Sequence, residues 1–302
     1  MGEEYTGTAL GDGHEPVVGP VRLGRGVAPH RGLGSLHWGR AHHPAGRVVT
    51  DRPDPSEGVA DVGASALPAD TVGLLEGICT TRAIRRYRDE PVPDHVLRDV
   101  LFAASRAPSG SNRQPFRFLL LTDGPKAVAA KSLIATAGRR AWGAKRTAER
   151  YDQGSGTDSN SPKAVMARTM DSYVEHLDHV PVLVLPCMVR YRAPFAAESA
   201  SIYPACQNLL LAARALGYGG VMTIFHHFVE AELRTLLGIP DDVFVAATIT
   251  LGRPRGHHGP VRRRPLHELV YLDEWGGAAP FAVDPPGTRH TAAGPPPPSL
   301  PG

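Results

Sequence analysis

Two short stretches of the chain combine residue types that chemistry uses. Residues 80–87 read Thr-Thr-Arg-Ala-Ile-Arg-Arg-Tyr. Arg82, Arg85 and Arg86 are permanently charged, and each guanidinium presents a planar fork of N–H donors that fits phosphate oxygens two at a time. Read alone, the run is either a phosphate site or a solvated basic face. Residues 107–116 read Ala-Pro-Ser-Gly-Ser-Asn-Arg-Gln-Pro-Phe. Gly110 permits close backbone approach, while Ser109, Ser111 and Asn112 offer hydroxyl and amide groups to the edge of a flat heteroaromatic ring. Alone, this stretch reads first as an ordinary helix-stop turn. A further basic cluster, Arg262-Arg263-Arg264-Pro265, stands late in the chain.

Other chemistries fail on spacing. No G-x-x-x-x-G-K-[ST] run exists to cradle a triphosphate. Gly217-Tyr-Gly219-Gly220 begins like a dinucleotide loop but precedes a strand-like run and lacks the third glycine. His267-Glu268 starts like a zinc-protease helix, yet Tyr271 occupies the place of the second histidine. There is no G-x-S-x-G elbow. The three cysteines, Cys79, Cys187 and Cys206, show no C-x-x-C spacing, so neither a disulfide framework nor a zinc ribbon is expected, and no metal.

The elements that must hold these stretches are legible from periodicity. Asp70 as N-cap, with Val72, Leu75, Ile78 and Cys79 at helical spacing, predicts a helix that runs into the arginine stretch. A second helix follows Pro93-Asp94, with Val96, Val100, Leu101 and Ala104 on one face, and stops before Pro108. Residues 116–122 and 182–189 read as buried strands, 201–216 as an Ala/Leu helix, and 220–224 as a short strand. Residues 230–237 read as a helix closed by Gly238, and 243–251 as a single strand. The polar stretch 126–150 is helix-compatible and the Gly/Ser-rich 153–162 a loop; together, 126–162 is expected to form a lid over a substrate.

Gly and Pro divide the chain. Residues 1–70 hold 13 Gly and 7 Pro, and residues 278–302 hold 3 Gly and 8 Pro, so both ends are expected to be disordered and 71–277 to be the folded domain. With 42% hydrophobic and 21% charged residues overall, the chain has apolar material for a core, which excludes a wholly disordered protein. A formal net charge of +3 favours no polyanionic partner, and no apolar run reaches a membrane-spanning length, so neither nucleic acid nor membrane is expected as a partner. The N-terminus lacks a basic region followed by an apolar stretch, which with the sparse cysteines predicts a reducing, cytoplasmic location.

In order and spacing, T-R-A-I-R-R-Y, then A-P-S-G-S-N-R-Q-P-F, the strand after Val182, the 204–217 helix, and Arg263-Arg264-Pro265 with Trp275-Gly276 resemble the nitroreductase-like FMN-dependent oxidoreductases. The resemblance spans about residues 74–277. Within that superfamily the chain is similar to the actinobacterial nitroreductases, and more distantly to the reductive iodotyrosine deiodinases. It implies an α+β fold with a mixed central sheet flanked by helices, in an intertwined homodimer with FMN at the subunit interface. It implies Arg82, Ala83, Arg85 and Arg263, aided by Arg86, at the FMN phosphate and ribityl chain. Ser109, Gly110, Ser111 and Asn112 of the other subunit would line the isoalloxazine, and Met222, Thr223 and Ile224 would meet the ring, with Phe225 and His226 toward the substrate. Thr81 and Ala83 depart from the family's usual Arg and Ser. The implied activity is hydride transfer from NAD(P)H through flavin N5 to a small organic acceptor such as a nitroaromatic or quinone, in a ping-pong cycle with no dedicated acid–base side chain. A flavin-sequestering protein without turnover, a reductive dehalogenase, and a natural-product dehydrogenase share the same cofactor residues.

Overall fold

The computed structural model describes residues 69–195 and 197–291. The disordered extension expected over residues 1–70 falls almost entirely outside the described residues, as does the end of the tail. The elements are α1 (Leu74–Thr80), α2 (Asp94–Ser105), β1 (Phe116–Leu121), α3 (Pro125–Ala148), α4 (Pro162–Glu175), β2 (Val182–Val189), α5 (Tyr203–Ala215), β3 (Gly219–Thr223), α6 (Glu230–Leu237), β4 (Val243–Val245) and β5 (Thr248–Gly252).

The strands pair in the order β1-β2-β5-β3, with β4 also on β2. Where a mixed sheet is expected, all four ladders are antiparallel. The reason is that the β2–α5–β3 crossover does return the chain parallel to β2, but β5 slots between the two and runs against both. The single strand expected over 243–251 is broken. Val184 faces Ile249 and Cys187 faces Val245, so two residues of β2 oppose three of the partner chain, a β-bulge at 246–248. Pro186 lies at that point and has no N–H to continue a regular ladder; its carbonyl accepts from Ala246 instead.

Helices cover both faces, which is why β2 reads as an uninterrupted apolar run. Leu183, Leu185 and Cys187 join Ala130, Ile134, Trp142 and Leu177 beneath α3 and α4. Val182, Val184 and Met188 join Val100, Ala104, Cys206 and Leu209 beneath α2 and α5. The residues on α3 correct the lid expectation. Ala130, Ile134, Ala135 and Trp142 are buried, and the buried Lys131 amine donates to the Val180 carbonyl at 2.7 Å, so 125–148 is core and only the turns of 149–161 are left as surface connection. Another correction concerns α1, which starts behind Gly73 rather than Asp70, because the Thr71 N–H is spent on the Ala215 carbonyl at the end of α5. At the other end, 278–291 is fastened rather than loose. Ala282 is buried, Asp284 accepts from the Leu266 N–H at 2.9 Å, and the Thr291 N–H donates to Arg263.

The three thiols divide by burial. Cys187 and Cys206 are buried, which pushes their pKa values up to about 11 and about 12, whereas Cys79 is exposed on α1. An aromatic disulfide reagent at neutral pH is therefore expected to titrate one thiol per chain promptly and the other two only after denaturation. Three fast thiols would contradict this packing.

Candidate functional site

The first arginine stretch is laid directly on the sheet. The Ile84 N–H donates to the Gly220 carbonyl at 3.0 Å and the Ile84 side chain is buried. This approach requires glycine in β3: a Cβ on Gly219 would stand 2.6 Å from Ile84 Cγ1 and 2.9 Å from His258 Nε2. The Gly-Tyr-Gly-Gly run that fails as a dinucleotide loop thus has a packing role.

Residues 80–82 are tied to 258–260. Gly259 N–H donates to the Thr80 carbonyl, and the Arg82 N–H donates to His258 Nδ1 at 3.2 Å. The Arg82 guanidinium grips the Pro260 carbonyl through Nη2 at 2.7 Å and Nε at 3.3 Å. His258 Nε2 in turn donates to the Tyr218 carbonyl at 3.2 Å, so the ring is neutral with its proton on Nε2. Burial first, and then the Arg214 and Arg82 charges, hold its pKa below the ordinary histidine value. This positioning histidine escaped the sequence reading, because a His-His pair before Gly-Pro carries no motif. Arg263 follows three residues after Pro260, so two stretches 180 residues apart in the chain come together here. Its guanidinium is exposed, with one bond to the Arg262 carbonyl.

Arg85 lies beside Tyr87 and Tyr173, and its Nε is buried without a hydrogen-bond partner. The Tyr87 hydroxyl donates to the Ile84 carbonyl at 2.6 Å, and both phenols lie against Thr250 Oγ1, at 2.8 and 3.1 Å. Burial raises both phenol pKa values, Tyr173 to about 12, so neither ionises to neutralise Arg85. The arginine keeps an uncompensated charge and a spare donor. Tyr173 also neighbours Thr223, which brings the end of β3 to the same place. There Met222 and Ile224, on either side of Thr223, stay 42% and 58% exposed, large apolar side chains left uncovered.

Two expected site residues turn inward. His226 is only 3% exposed, with Nε2 donating to the Val245 carbonyl and Nδ1 accepting from Thr248 Oγ1, both at 3.1 Å. Phe225 packs against Tyr173 and over Gly138 of α3. Neither side chain is free for a substrate; the exposed neighbours are Ile224, His227 and Phe228. Arg86 lines a cavity with Arg85 and Arg255 that includes none of Arg82, Pro260 or Arg263. Thr81 spends its hydroxyl on the Gly77 carbonyl at 2.6 Å.

The Ser109–Asn112 loop is built under strain. Ser111, Asn112 and Gln114 all adopt positive φ, near 50°, a conformation that costs non-glycine residues energy and that clusters at ligand clamps. The Gln114 N–H to Ser109 Oγ bond at 2.9 Å and the Gly110 N–H to Ser201 Oγ bond at 3.2 Å hold it in place. Ser109 and Gly110 edge a cavity of about 400 Å³ with Met188, Arg190, Tyr191 and Phe195. This loop and the Arg82 cluster do not meet within one chain. Tyr87 and Pro181 both lie against Gly252, and Met188 is seven residues farther along β2, about 23 Å at the rise of a strand. Among the described residues, no cluster of three or more His, Cys, Asp or Glu is arranged for a metal, and no helix is long and apolar enough to cross a membrane.

An antiparallel sheet between two helical layers thus carries the Arg82 stretch at the start of β3 and the uncovered Met222 and Ile224 at its end. The model of the nitroreductase family matches residues 78–253, and the chain belongs to that family of oxidoreductases. It is 29% identical over 208 residues to an NADH dehydrogenase of Thermus thermophilus, covering 63% of this chain and 90% of that one. Identity to a nitrobenzene nitroreductase of Ectopseudomonas oleovorans is also 29%, over 196 residues, 57% of this chain and 82% of the relative. Among solved structures, an FMN- and NADPH-dependent nitroreductase from a Sphigopyxis species superposes with a TM-score of 0.52 at 19% identity, over 68% of this chain and all of that one. The NADPH:FMN oxidoreductase of Vibrio harveyi gives 0.51 at 20%, over 67% and 77%. These two likenesses establish the fold.

Proposed function

We propose that the protein is an FMN-dependent oxidoreductase that passes hydride from NAD(P)H to a small organic acceptor, a nitroaromatic, a quinone or a similar electrophile, in two half-reactions at one site. The observation that carries this reading is Arg85, whose buried Nε lacks a partner beside two neutral phenols, one of which also neighbours Thr223, between the exposed Met222 and Ile224. A flat, electron-accepting ring that becomes anionic on reduction fits such a place, since its acceptor edge would satisfy the donor. Bound FMN supplies a two-electron carrier that accepts hydride at N5 and gives it to the acceptor.

The chain's own residues bind and orient. Arg263 offers its exposed guanidinium to the phosphate, and Arg82, locked on Pro260 and His258, fixes the backbone around Ala83. Arg85 places positive charge where negative charge grows on reduction, and so raises the reduction potential. The backbone of residues 222–224 faces the ring edge. Because Ser109–Asn112 lies at the far end of β2, it completes a site only in a second copy of the chain, which supports a homodimer. Exposed Leu74, Leu75, Phe102 and Trp275, the last 92% exposed, supply apolar surface for that partner.

Arg263→Ala is expected to lose bound flavin on dialysis, with affinity down roughly tenfold or more, the usual consequence of deleting a charge-assisted contact to phosphate. Its melting temperature without added flavin should equal that of the parent apoprotein. Flavin content unchanged after exhaustive dialysis would reject the assignment. Anaerobic mixing of the parent holoprotein with NADPH and NADH, followed by a nitroaromatic or quinone, should bleach and then restore the flavin band; no bleaching with either would leave a flavin-binding protein without turnover.

A further inference from the structure

Charge is concentrated at a second place, of which the flavin reading uses only Arg85. Tyr87 and Pro254 form an antiparallel bridge, with the Arg88 N–H donating to Arg253 at 2.8 Å and the Arg255 N–H donating to Arg86 at 3.0 Å. That register sets Arg86 opposite Arg255, and like charges directly across a ribbon repel. Arg253, opposite Arg88, is already spent, since it pairs with Glu90 at 2.6 Å and stacks on the Tyr218 ring. Arg86, Arg88 and Arg255 have no ion-pair partner among the described residues.

These three arginines are exposed at the edge of a concave surface. With Arg85, Asp89, His176 and His179 they line a cavity of about 480 Å³ closed on its other side by the end of α4 and by Val180 and Pro181 at the start of β2. Four arginines, the shared Arg85 among them, and one aspartate line it beside the carbonyl end of α4, so the cavity carries a formal +3 with both histidines neutral, as much as the net charge of the whole chain. The charge exceeds what one phosphate would neutralise, and the volume suits a nucleotide-sized molecule.

We infer that this cavity binds a small molecule bearing a phosphoanhydride, two adjacent phosphates held by the forks of Arg86, Arg88 and Arg255, at a site that borders the one proposed for FMN at Arg85 and otherwise shares no residue with it. The two sources of such a group, inorganic pyrophosphate and a nucleoside diphosphate, share the same contacts. They differ in whether a base and ribose add affinity from the His176 and His179 side.

The test is calorimetric titration of the FMN-loaded full chain with inorganic pyrophosphate, ADP and AMP in parallel, at low and moderate salt. One site per chain is expected for pyrophosphate and ADP, weaker binding for AMP, and affinity that falls steeply with salt. ADP tighter than pyrophosphate assigns the nucleotide as the source; equal affinities assign the inorganic ion. Arg88→Glu and Arg255→Glu should each weaken binding roughly tenfold or more while flavin content stays unchanged. Arg263→Ala should lose flavin yet keep diphosphate binding, which separates failure of this site from failure of the flavin reading. Absence of binding at millimolar ligand, affinity unmoved by both charge reversals, or displacement of the diphosphate by excess FMN would each overturn the proposal.

Discussion

Gly219→Ala is expected to strip the protein of flavin. The added methyl would sit 2.6 Å from Ile84 Cγ1 and 2.9 Å from His258 Nε2, distances at which atoms must move. Gly219 does not have a positive φ, so the backbone itself tolerates alanine, and the cost is the displacement of those two neighbours. Moving Ile84 endangers its bond to the Gly220 carbonyl, and moving His258 breaks its contact with the Tyr218 carbonyl. Both of these hold the Arg82 stretch in position. Overpacking of this kind costs about 1–3 kcal/mol, and the part that falls on the arginine stretch should appear as FMN affinity lowered roughly ten- to a hundredfold by that conversion. Gly217→Ala is the control: its φ of 78° makes alanine strained, but no atom lies within 4 Å of the new methyl. That variant should lose about 1 kcal/mol of stability and retain flavin. Equal flavin retention in the two variants, measured by absorbance after dialysis, would separate β3 from the cofactor site.

Much of this arrangement is legible in the sequence for reasons that are local. The faces of α2 and α5, the buried run of β2 and the Gly238 stop of α6 each follow from side-chain periodicity or from a φ that glycine tolerates, and Gly238 indeed adopts φ 67°. What escapes is non-local. The break between β4 and β5 depends on Pro186 in a different strand, and the role of Gly219 on a stretch 135 residues earlier. Helix α4 is missed because its buried Ala164, Ala167, Tyr173 and Val174 are mostly small and sparse along the sequence, so the apolar face is faint until α3 packs on it. The arginines illustrate the limit on site reading. Arg82, Arg85 and Arg86 are near neighbours in sequence, yet the structure gives Arg82 to Pro260, while Arg85 lies beside two phenols at the edge of the cavity that Arg86 also lines, a division set by the strands beneath them.

His226 provides the sharpest separation between folding and catalysis. Sequence position suggests a substrate contact, whereas both ring nitrogens are committed to Val245 and Thr248 at the bulge that joins β4 to β5. Burial depresses its pKa below the ordinary value near 6.5, an effect that outweighs the opposing hydrogen bond to Val245 and the Glu230 charge. The folded chain therefore keeps His226 neutral where the unfolded chain has begun to take up a proton. Since the unfolded state then binds more protons, stability falls as pH drops below about 6.5, by at most about 1.4 kcal/mol per pH unit from this group, until the folded ring also protonates. His258, depressed in the same direction, adds to the same window. His226→Ala should cost about 2–4 kcal/mol by orphaning the Val245 carbonyl and opening a void, and should make the remaining pH dependence between about 5 and 6.5 shallower. Denaturant melts at several pH values test both parts. In the still-folded variant, saturated with FMN, kcat/KM for the acceptor is expected to stay within about twofold of the parent, a change below 0.5 kcal/mol. A large loss of turnover without a loss of stability would return His226 to the substrate pocket.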